Sequence, residues 1–171
     1  ALGYSDNYRA VFGEADFLPA LIVDKYGKYL SCQFLSLGME KRKDMIVDIL
    51  VKIFSPDGIY ERSDVPVRKK EGLPEFKGVL YGEVPDRVCI CENGLKILVD
   101  LKEGQKTGYF LDQKENRDNL KRYVKDKRVL DCFCNVGGFS LCAAKGGATK
   151  VYSADISESA LNIVKENAEL N

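Results

Sequence analysis

Residues Arg128 to Asn171 read RVLDCFCNVGGFSLCAAKGGATKVYSADISESALNIVKENAELN, and this stretch decides the fold. Val129 to Phe133 is a short apolar run of the kind that forms a strand buried on both faces. Asn135 to Gly138 supplies a turn, and Phe139 to Lys145 a helix closing on Gly146 and Gly147. Val151 to Ala154 is a second strand that ends on Asp155. Ser157 caps a helix in which Ala160, Leu161, Val164 and Ala168 recur at helical spacing. The pattern is a β-α-β-α nucleotide-binding unit. A glycine turn after the first strand lets backbone approach a ligand, and a carboxylate after the second accepts hydrogen bonds from ribose hydroxyls. The expected ligand therefore contains adenosine.

Two adenosine cofactors use this logic. A nicotinamide dinucleotide needs G-x-G-x-x-G, with helix N-terminal amides aimed at its pyrophosphate. Here the turn is Cys134-Asn135-Val136-Gly137-Gly138-Phe139, which lacks the first glycine and has a large Phe after the pair. Asp131 also sits inside the first strand, where a pyrophosphate would be repelled. S-adenosylmethionine carries an ammonium and a sulfonium, which a carboxylate favours. Asp131 thus points to S-adenosylmethionine. The remaining reading of the stretch is an α/β turn with a purely structural Gly-Gly.

Upstream, ALIVDKYGKYLSCQFLS reads as a hairpin turning at Lys25 to Lys28. Met39 to Phe54 reads as an amphipathic helix with Ile46, Ile49, Leu50 and Ile53 inward. Pro56-Asp57-Gly58 ends it before a strand at Ile59 to Arg62. GVLYGEV and VCICENGLKILVDL add strands, with Asn93-Gly94 as a hairpin turn. This is an α+β unit, an antiparallel sheet carrying a helix. Asp112 is a candidate N-cap for a helix from Gln113 to Tyr123. The apolar content of 45% supports a core, and no run is long enough to cross a membrane.

The six cysteines include the alternating pairs Cys89/Cys91 and Cys132/Cys134. Period-two spacing puts each pair on one sheet face as small hydrophobes, and without His or C-x-x-C no metal site is expected. Cys134, beside the glycine turn, reads as packed. Disulfides are not expected, since a reducing, cytoplasmic compartment suits such a protein. Charge balances at 26 basic and 26 acidic residues, which gives no global basic excess for RNA. Local basic density occurs at Arg62, Arg68, Lys69 and Lys70 and along KRYVKDKR, residues 121–128. The second run reads equally as a solvated helix end or as an RNA-facing stripe.

EGQKTGYFLDQKENR (Glu103 to Arg117), GGFSL and ADISESAL together closely resemble the class I ribosomal RNA large-subunit methyltransferase family that modifies cytosine C5. VFGEADFLPALIVDKYG, GIYERSDVPVRKKEGL and ENGLKILVDLKEGQKTGYFLDQ extend the resemblance over nearly the whole chain. It implies a middle α+β domain over 1–101, then the incomplete start of a Rossmann-like class I methyltransferase domain over 102–171. It implies that Gln105, Lys106, Thr107 and Phe110 contact the methionine end of S-adenosylmethionine. Gly137 and Gly138 match the glycine turn, and Asp155 matches the acid on the ribose. Lys106 and Thr107 offer a cation and a hydroxyl suited to a carboxylate; Lys106 also reads as a solvated surface lysine. With Asp131 and Asn135 these residues form the candidate cofactor set. Arg62 and Arg68 would face substrate RNA or pair with Glu61 and Glu71. The family usually has Arg at the position of Lys114, and a hydroxyl residue or Tyr-Thr around Asn135 and Val136.

In such enzymes a cysteine thiolate adds to C6 of the base, and a base later removes the C5 proton. That cysteine and the Asp/Asn-Pro-Pro loop lie after the fourth strand, so no residue here is expected to be catalytic. The expectation is a fragment of an S-adenosylmethionine-dependent RNA methyltransferase, inactive alone, whose parent acts on ribosomal RNA. Its bare sheet edge would make it self-associate. The rival readings are a non-catalytic binding or assembly module and an NAD-dependent oxidoreductase.

Overall fold

The computed structural model describes residues 6–171. By contact it divides into two compact units. The first runs up to Val88 and takes in Asp100–Gly108; the second comprises Cys89–Val99 and Tyr109–Asn171. The division therefore falls differently from a cut at residue 101. The hairpin before that point groups with the second unit and the loop after it with the first.

The first unit is a five-stranded sheet in sequential order: β1 (Asn7–Phe12), β2 (Leu21–Tyr26), β3 (Tyr29–Phe34), β4 (Gly58–Ser63) and β5 (Phe76–Gly82). The β2–β3 hairpin turns at Gly27-Lys28, where Gly27 takes the left-handed φ of 59° that glycine tolerates. The sheet is mixed rather than antiparallel, because β3 and β4 run parallel. Between them the chain crosses over through α1 (Leu37–Glu40) and α2 (Lys43–Phe54), as a parallel pair requires. Ser36 caps α1, its hydroxyl accepting from the Met39 amide. The helix expected from Met39 is thus broken at Lys41-Arg42.

Leu21, Val23, Leu30, Cys32, Phe34, Leu50 and Ile59 form the core of this unit. Met39, Ile46, Val47, Val51 and Phe54 pack on it. Ile49 and Ile53 are exposed instead of inward. The break rotates the buried face of α2 toward Val47, Val51 and Phe54.

The second unit contains the hairpin β6 (Val88–Glu92)–β7 (Leu95–Val99), whose first residue belongs to the other unit. It continues with α3 (Lys114–Leu120), β8 (Arg128–Cys132), α4 (Gly138–Lys145), β9 (Lys150–Ala154) and α5 (Glu158–Leu170). β8 and β9 pair in parallel, Arg128 against Lys150 and Cys132 against Ala154. Asn167 on α5 and Asn171 just past its end fasten β7: the Asn167 side chain accepts from the Leu98 amide at 2.6 Å, and that of Asn171 from the Lys96 amide at 2.9 Å.

β8 was expected to be buried on both faces. Instead Leu130 is 65% exposed and Phe133 89% exposed, and Tyr152 and Ile156 are exposed beside them. Among the described residues β8 has β9 as its one strand neighbour. Cys89, Cys91 and Cys132 are exposed, so the cysteine pairs do not pack as core hydrophobes; Cys134 is buried as read. Among the described residues no helix is long and apolar enough to cross a membrane.

Candidate cofactor site

The site grows from the C-terminal ends of β8 and β9. Past Cys132 the chain alternates through left-handed residues, Phe133 (φ 62°), Asn135 (φ 50°) and Gly137 (φ 83°). Two of these carry side chains, at a cost of about 1–2 kcal/mol each, so something must hold them. Asp155 does. One of its carboxylate oxygens accepts from the Asn135 amide at 2.8 Å, the other from the Ser157 amide at 2.9 Å. The Cys134 amide donates to the Ala154 carbonyl at 3.1 Å, and the Gly137 amide closes the turn onto the Cys134 carbonyl at 2.8 Å.

Asp131 fixes the helix that follows. Its Oδ2 accepts from the Ser140 amide at 3.0 Å and the Ser140 hydroxyl at 2.7 Å, and that hydroxyl also meets the Ser153 hydroxyl at 2.7 Å. A carboxylate at the start of α4 also suits the helix dipole. Each acid thus has two acceptor positions committed to the fold, of the roughly four that a carboxylate offers. Among the described residues Asn135 Oδ1 is buried without a hydrogen-bond partner, an acceptor with no donor supplied to it.

Below the turn lies a group that the sequence did not single out. Arg117 donates to both oxygens of Glu92, at 2.6 and 3.0 Å, and to the Phe110 carbonyl at 2.8 Å. The Tyr109 hydroxyl donates to Glu92 at 3.2 Å, and the Arg117 guanidinium stacks 4.4 Å over the Tyr109 ring. A β-carbon on Gly138 would come within 2.4 Å of the Tyr109 oxygen and 2.8 Å of Arg117 Cδ. Gly138 is therefore glycine because this cluster presses on it, and the backbone of the turn rests on buried side chains. Burial, reinforced by the charge of Glu92, pushes the Tyr109 phenol well above its ordinary range, so it stays a donor. The one sequence signal was an arginine within the EGQKTGYFLDQKENR segment; its partner stands 25 positions earlier.

Cys134 is the thiol beside the turn. Burial first, then the charges of Asp131 and Asp155, push it up to about 11, so it is a neutral thiol near pH 7 and a poor nucleophile.

The expected residues fall in both units. Gly137, Gly138, Asp131, Asn135 and Asp155 converge on the turn, and Phe110 joins them through the Arg117 bond. Gln105, Lys106 and Thr107 belong to the first unit. Gln105 and Lys106 are exposed on its loop. Thr107 corrects the sequence reading: it is buried, with its hydroxyl donating to Asp24 and accepting from Tyr26 at 3.0 Å. That hydroxyl anchors the loop inside the first unit. Asp112 is a second correction, because it lies in a 3-10 turn and α3 is preceded by Gln113, with no side-chain cap.

Of the two roles left open for Arg62 and Arg68, facing RNA or pairing with acids, the structure shows ion pairing, with Glu61 kept as a partner of Arg68 and Glu71 not used. Arg62 is buried, paired with Asp64 at 3.0 Å and donating to the carbonyls of Leu101 and Gly104. Arg68 is 1% exposed and donates to the carbonyls of Phe34 and Pro74 and to Glu40. Its Glu61 partner is 3.9 Å away, and Glu71 instead accepts from the Leu37 amide. Both guanidiniums serve the interior of the first unit.

A family model described as S-adenosylmethionine-dependent methyltransferase matches residues 74–171. The chain is similar to the ribosomal RNA large subunit methyltransferase I of Vibrio vulnificus, 52% identical over 165 residues, and to that of Vibrio parahaemolyticus, 53% identical over 165 residues. Each alignment covers 96% of this chain and 42% of the relative, so the chain spans less than half the length of these proteins. Among solved structures it is similar to a candidate SAM-dependent methyltransferase from Streptococcus mutans, with a TM-score of 0.83 and 28% identity over 98% of this chain and 43% of that one. A candidate methyltransferase complexed with SAH gives the same score and identity over 98% of this chain and 42% of that one. A tRNA methyltransferase of M. jannaschii gives a TM-score of 0.68 at 26% identity, over 86% and 43% of the two chains. The match spans the glycine turn, the acid after β9 and the Arg117 cluster alike, and the chain belongs to the S-adenosylmethionine-dependent methyltransferase family.

Proposed function

We propose that this chain supplies the adenosyl-binding turn of an RNA methyltransferase, and that the whole protein methylates large-subunit ribosomal RNA at cytosine C5. The observation that carries the proposal is the turn itself: Asp155 gathers the Asn135 and Ser157 amides at the ends of two parallel strands, beside the unpartnered Asn135 Oδ1. The donor set fits S-adenosylmethionine. Asp155 keeps acceptor positions for ribose hydroxyls, Asn135 Oδ1 needs a donor, and Gly137 and Gly138 permit close approach. The cofactor supplies an electrophilic methyl group on its sulfonium.

This chain's residues bind and orient that group; none of them is assigned the nucleophile's role, and the neutral Cys134 thiol agrees with this. The relatives' names and the complexed neighbour support RNA and the cofactor respectively. The finer architecture, a middle α+β domain before a Rossmann-like methyltransferase domain, a cytoplasmic location, and self-association through the exposed strand β8 belong to the same proposal. Titration with S-adenosylhomocysteine and with NAD separates this reading from an oxidoreductase. Binding of the first alone supports it, and binding of NAD alone overturns it. Light scattering that shows a monomer at high concentration would remove the self-association.

A further inference from the structure

We infer that the end of the β8–β9 pair remote from the glycine turn is an electrostatic surface that holds the RNA phosphate backbone. β8 starts at Arg128 and the turn follows Cys132, so the two ends stand about 13 Å apart along the strand. At the remote end two segments are zipped together. The Asp126 amide donates to the Gly147 carbonyl at 3.0 Å, and the Thr149 amide and hydroxyl both donate to the Lys127 carbonyl, at 2.7 and 3.0 Å.

Residues 121–128 and 147–150 together carry six basic side chains, Lys121, Arg122, Lys125, Lys127, Arg128 and Lys150, against one acid, Asp126. In a chain of zero net charge this is a local excess. A helix dipole explains little of it. α3 ends at Leu120, and the dipole's influence fades within the last turn, which reaches Lys121 and its Asp118 partner but not Lys125, Lys127, Arg128 or Lys150.

Those four cations are exposed and form no ion pair among the described residues. Two are preorganised on one ring. Arg128 lies 5.7 Å from the Tyr152 ring centroid and donates to the Tyr152 hydroxyl at 2.9 Å, and Lys150 lies 5.0 Å from the same centroid. Exposed cations on two segments hydrogen-bonded to each other suit phosphates rather than base edges. The inference rests on RNA being the partner of the whole protein, and it places that contact away from the cofactor turn.

The test is binding of a fluorescent twelve-nucleotide oligouridylate to the full chain between 0.05 and 0.3 M salt, with S-adenosylhomocysteine affinity measured alongside. Lys125→Ala, Lys127→Ala and Lys150→Ala combined should weaken binding at least tenfold at low salt. The slope of log K against log salt should flatten by about 2, three contacts at about 0.7 each. Cofactor-analogue binding should be unchanged. Lys69→Ala with Lys70→Ala, exposed lysines of the first unit, should change neither slope nor affinity. An unchanged slope in the triple variant, an equal loss in the Lys69/Lys70 control, no RNA binding by the parent chain, or equal binding of a polyglutamate of matched charge would each overturn the inference. Failure of the analogue to bind, with the RNA results as expected, would sink the cofactor reading and leave this one standing.

Discussion

The two units treat polar and apolar groups in opposite ways. The first buries charge: Glu61 and Arg68 are nearly inaccessible, Lys43 lies 2.9 Å from Glu61, and Glu40 bridges Arg68 and Lys43. The second shows apolar side chains to the outside along β8 and β9 while burying one ion pair, Glu92–Arg117, beneath its turn. A buried ion pair adds little net stability over apolar packing but costs heavily when one partner is removed, so its use is to fix geometry. In the first unit the fixed feature is the loop 100–108, held by Arg62 and by Thr107. In the second it is the glycine turn. Both units use interior charge to position backbone, and the exposed strand face is the part left uncommitted.

Removing Arg68 should break this contrast most severely. Arg68→Ala leaves Glu40 and the buried Glu61 short of a cation, and urea unfolding should show a loss of about 3–5 kcal/mol. A loss under 1 kcal/mol would mean that the cluster is not structurally committed. Gly138→Ala comes next. The added methyl meets Tyr109 and Arg117, and the expected cost is about 1–3 kcal/mol. Combining it with Tyr109→Phe removes the oxygen at 2.4 Å and should recover part of that cost, so additive losses would show that the turn does not rest on Tyr109.

A smaller effect is expected with pH. Burial of Glu40 raises its pKa, but hydrogen bonds from Arg68 and Lys43 outweigh this and the net shift is downward from 4.5. A folded-state pKa below the unfolded one gives stability that is present above the unfolded value and lost as pH falls through the folded value. Unfolding midpoints measured from pH 6 downward should therefore drop below about pH 4.5. The drop should be shallower in Glu40→Gln; an identical profile in that variant would assign the acid sensitivity elsewhere. The smallest effect belongs to the exposed face. In dilute solution, where the chain is monomeric, Leu130→Ala should change stability by no more than about 0.5 kcal/mol, and a loss of about 2 kcal/mol there would show that Leu130 is covered within the chain.

Local features were legible in the sequence where the physics is local. Gly27 and Asn93-Gly94 mark hairpin turns because left-handed backbone is needed there, and both hairpins form. Ser157 caps α5 as read, its hydroxyl accepting from the Ala160 amide at 3.2 Å. The strand, glycine turn, helix, strand and acid of residues 128–155 also stand in the order read, though the strands carry exposed apolar side chains.

What failed was long-range. Arg68 finds Glu40 and the Phe34 carbonyl 28 and 34 positions away, so an arginine within a basic run turns inward while its neighbours Lys69 and Lys70 stay exposed. Thr107 finds Asp24 across 83 positions, and a hydroxyl read as a ligand contact becomes an anchor. The Arg117–Glu92 pair leaves no sequence signal for the same reason, since neither residue lies in a motif with the other. The misassigned face of α2 has a local origin. The break after Glu40 shifts the helical phase, and periodicity alone does not reveal such a break.

The most direct measurement is isothermal titration of S-adenosylhomocysteine into the chain and its Asp155→Asn variant. The account predicts binding to the parent chain and a roughly 10- to 100-fold loss in the variant, the worth of hydrogen bonds to a charged acceptor. Equal affinity in the two proteins, with the variant still folded, would contradict the assignment of Asp155 and the turn it holds as the adenosyl site.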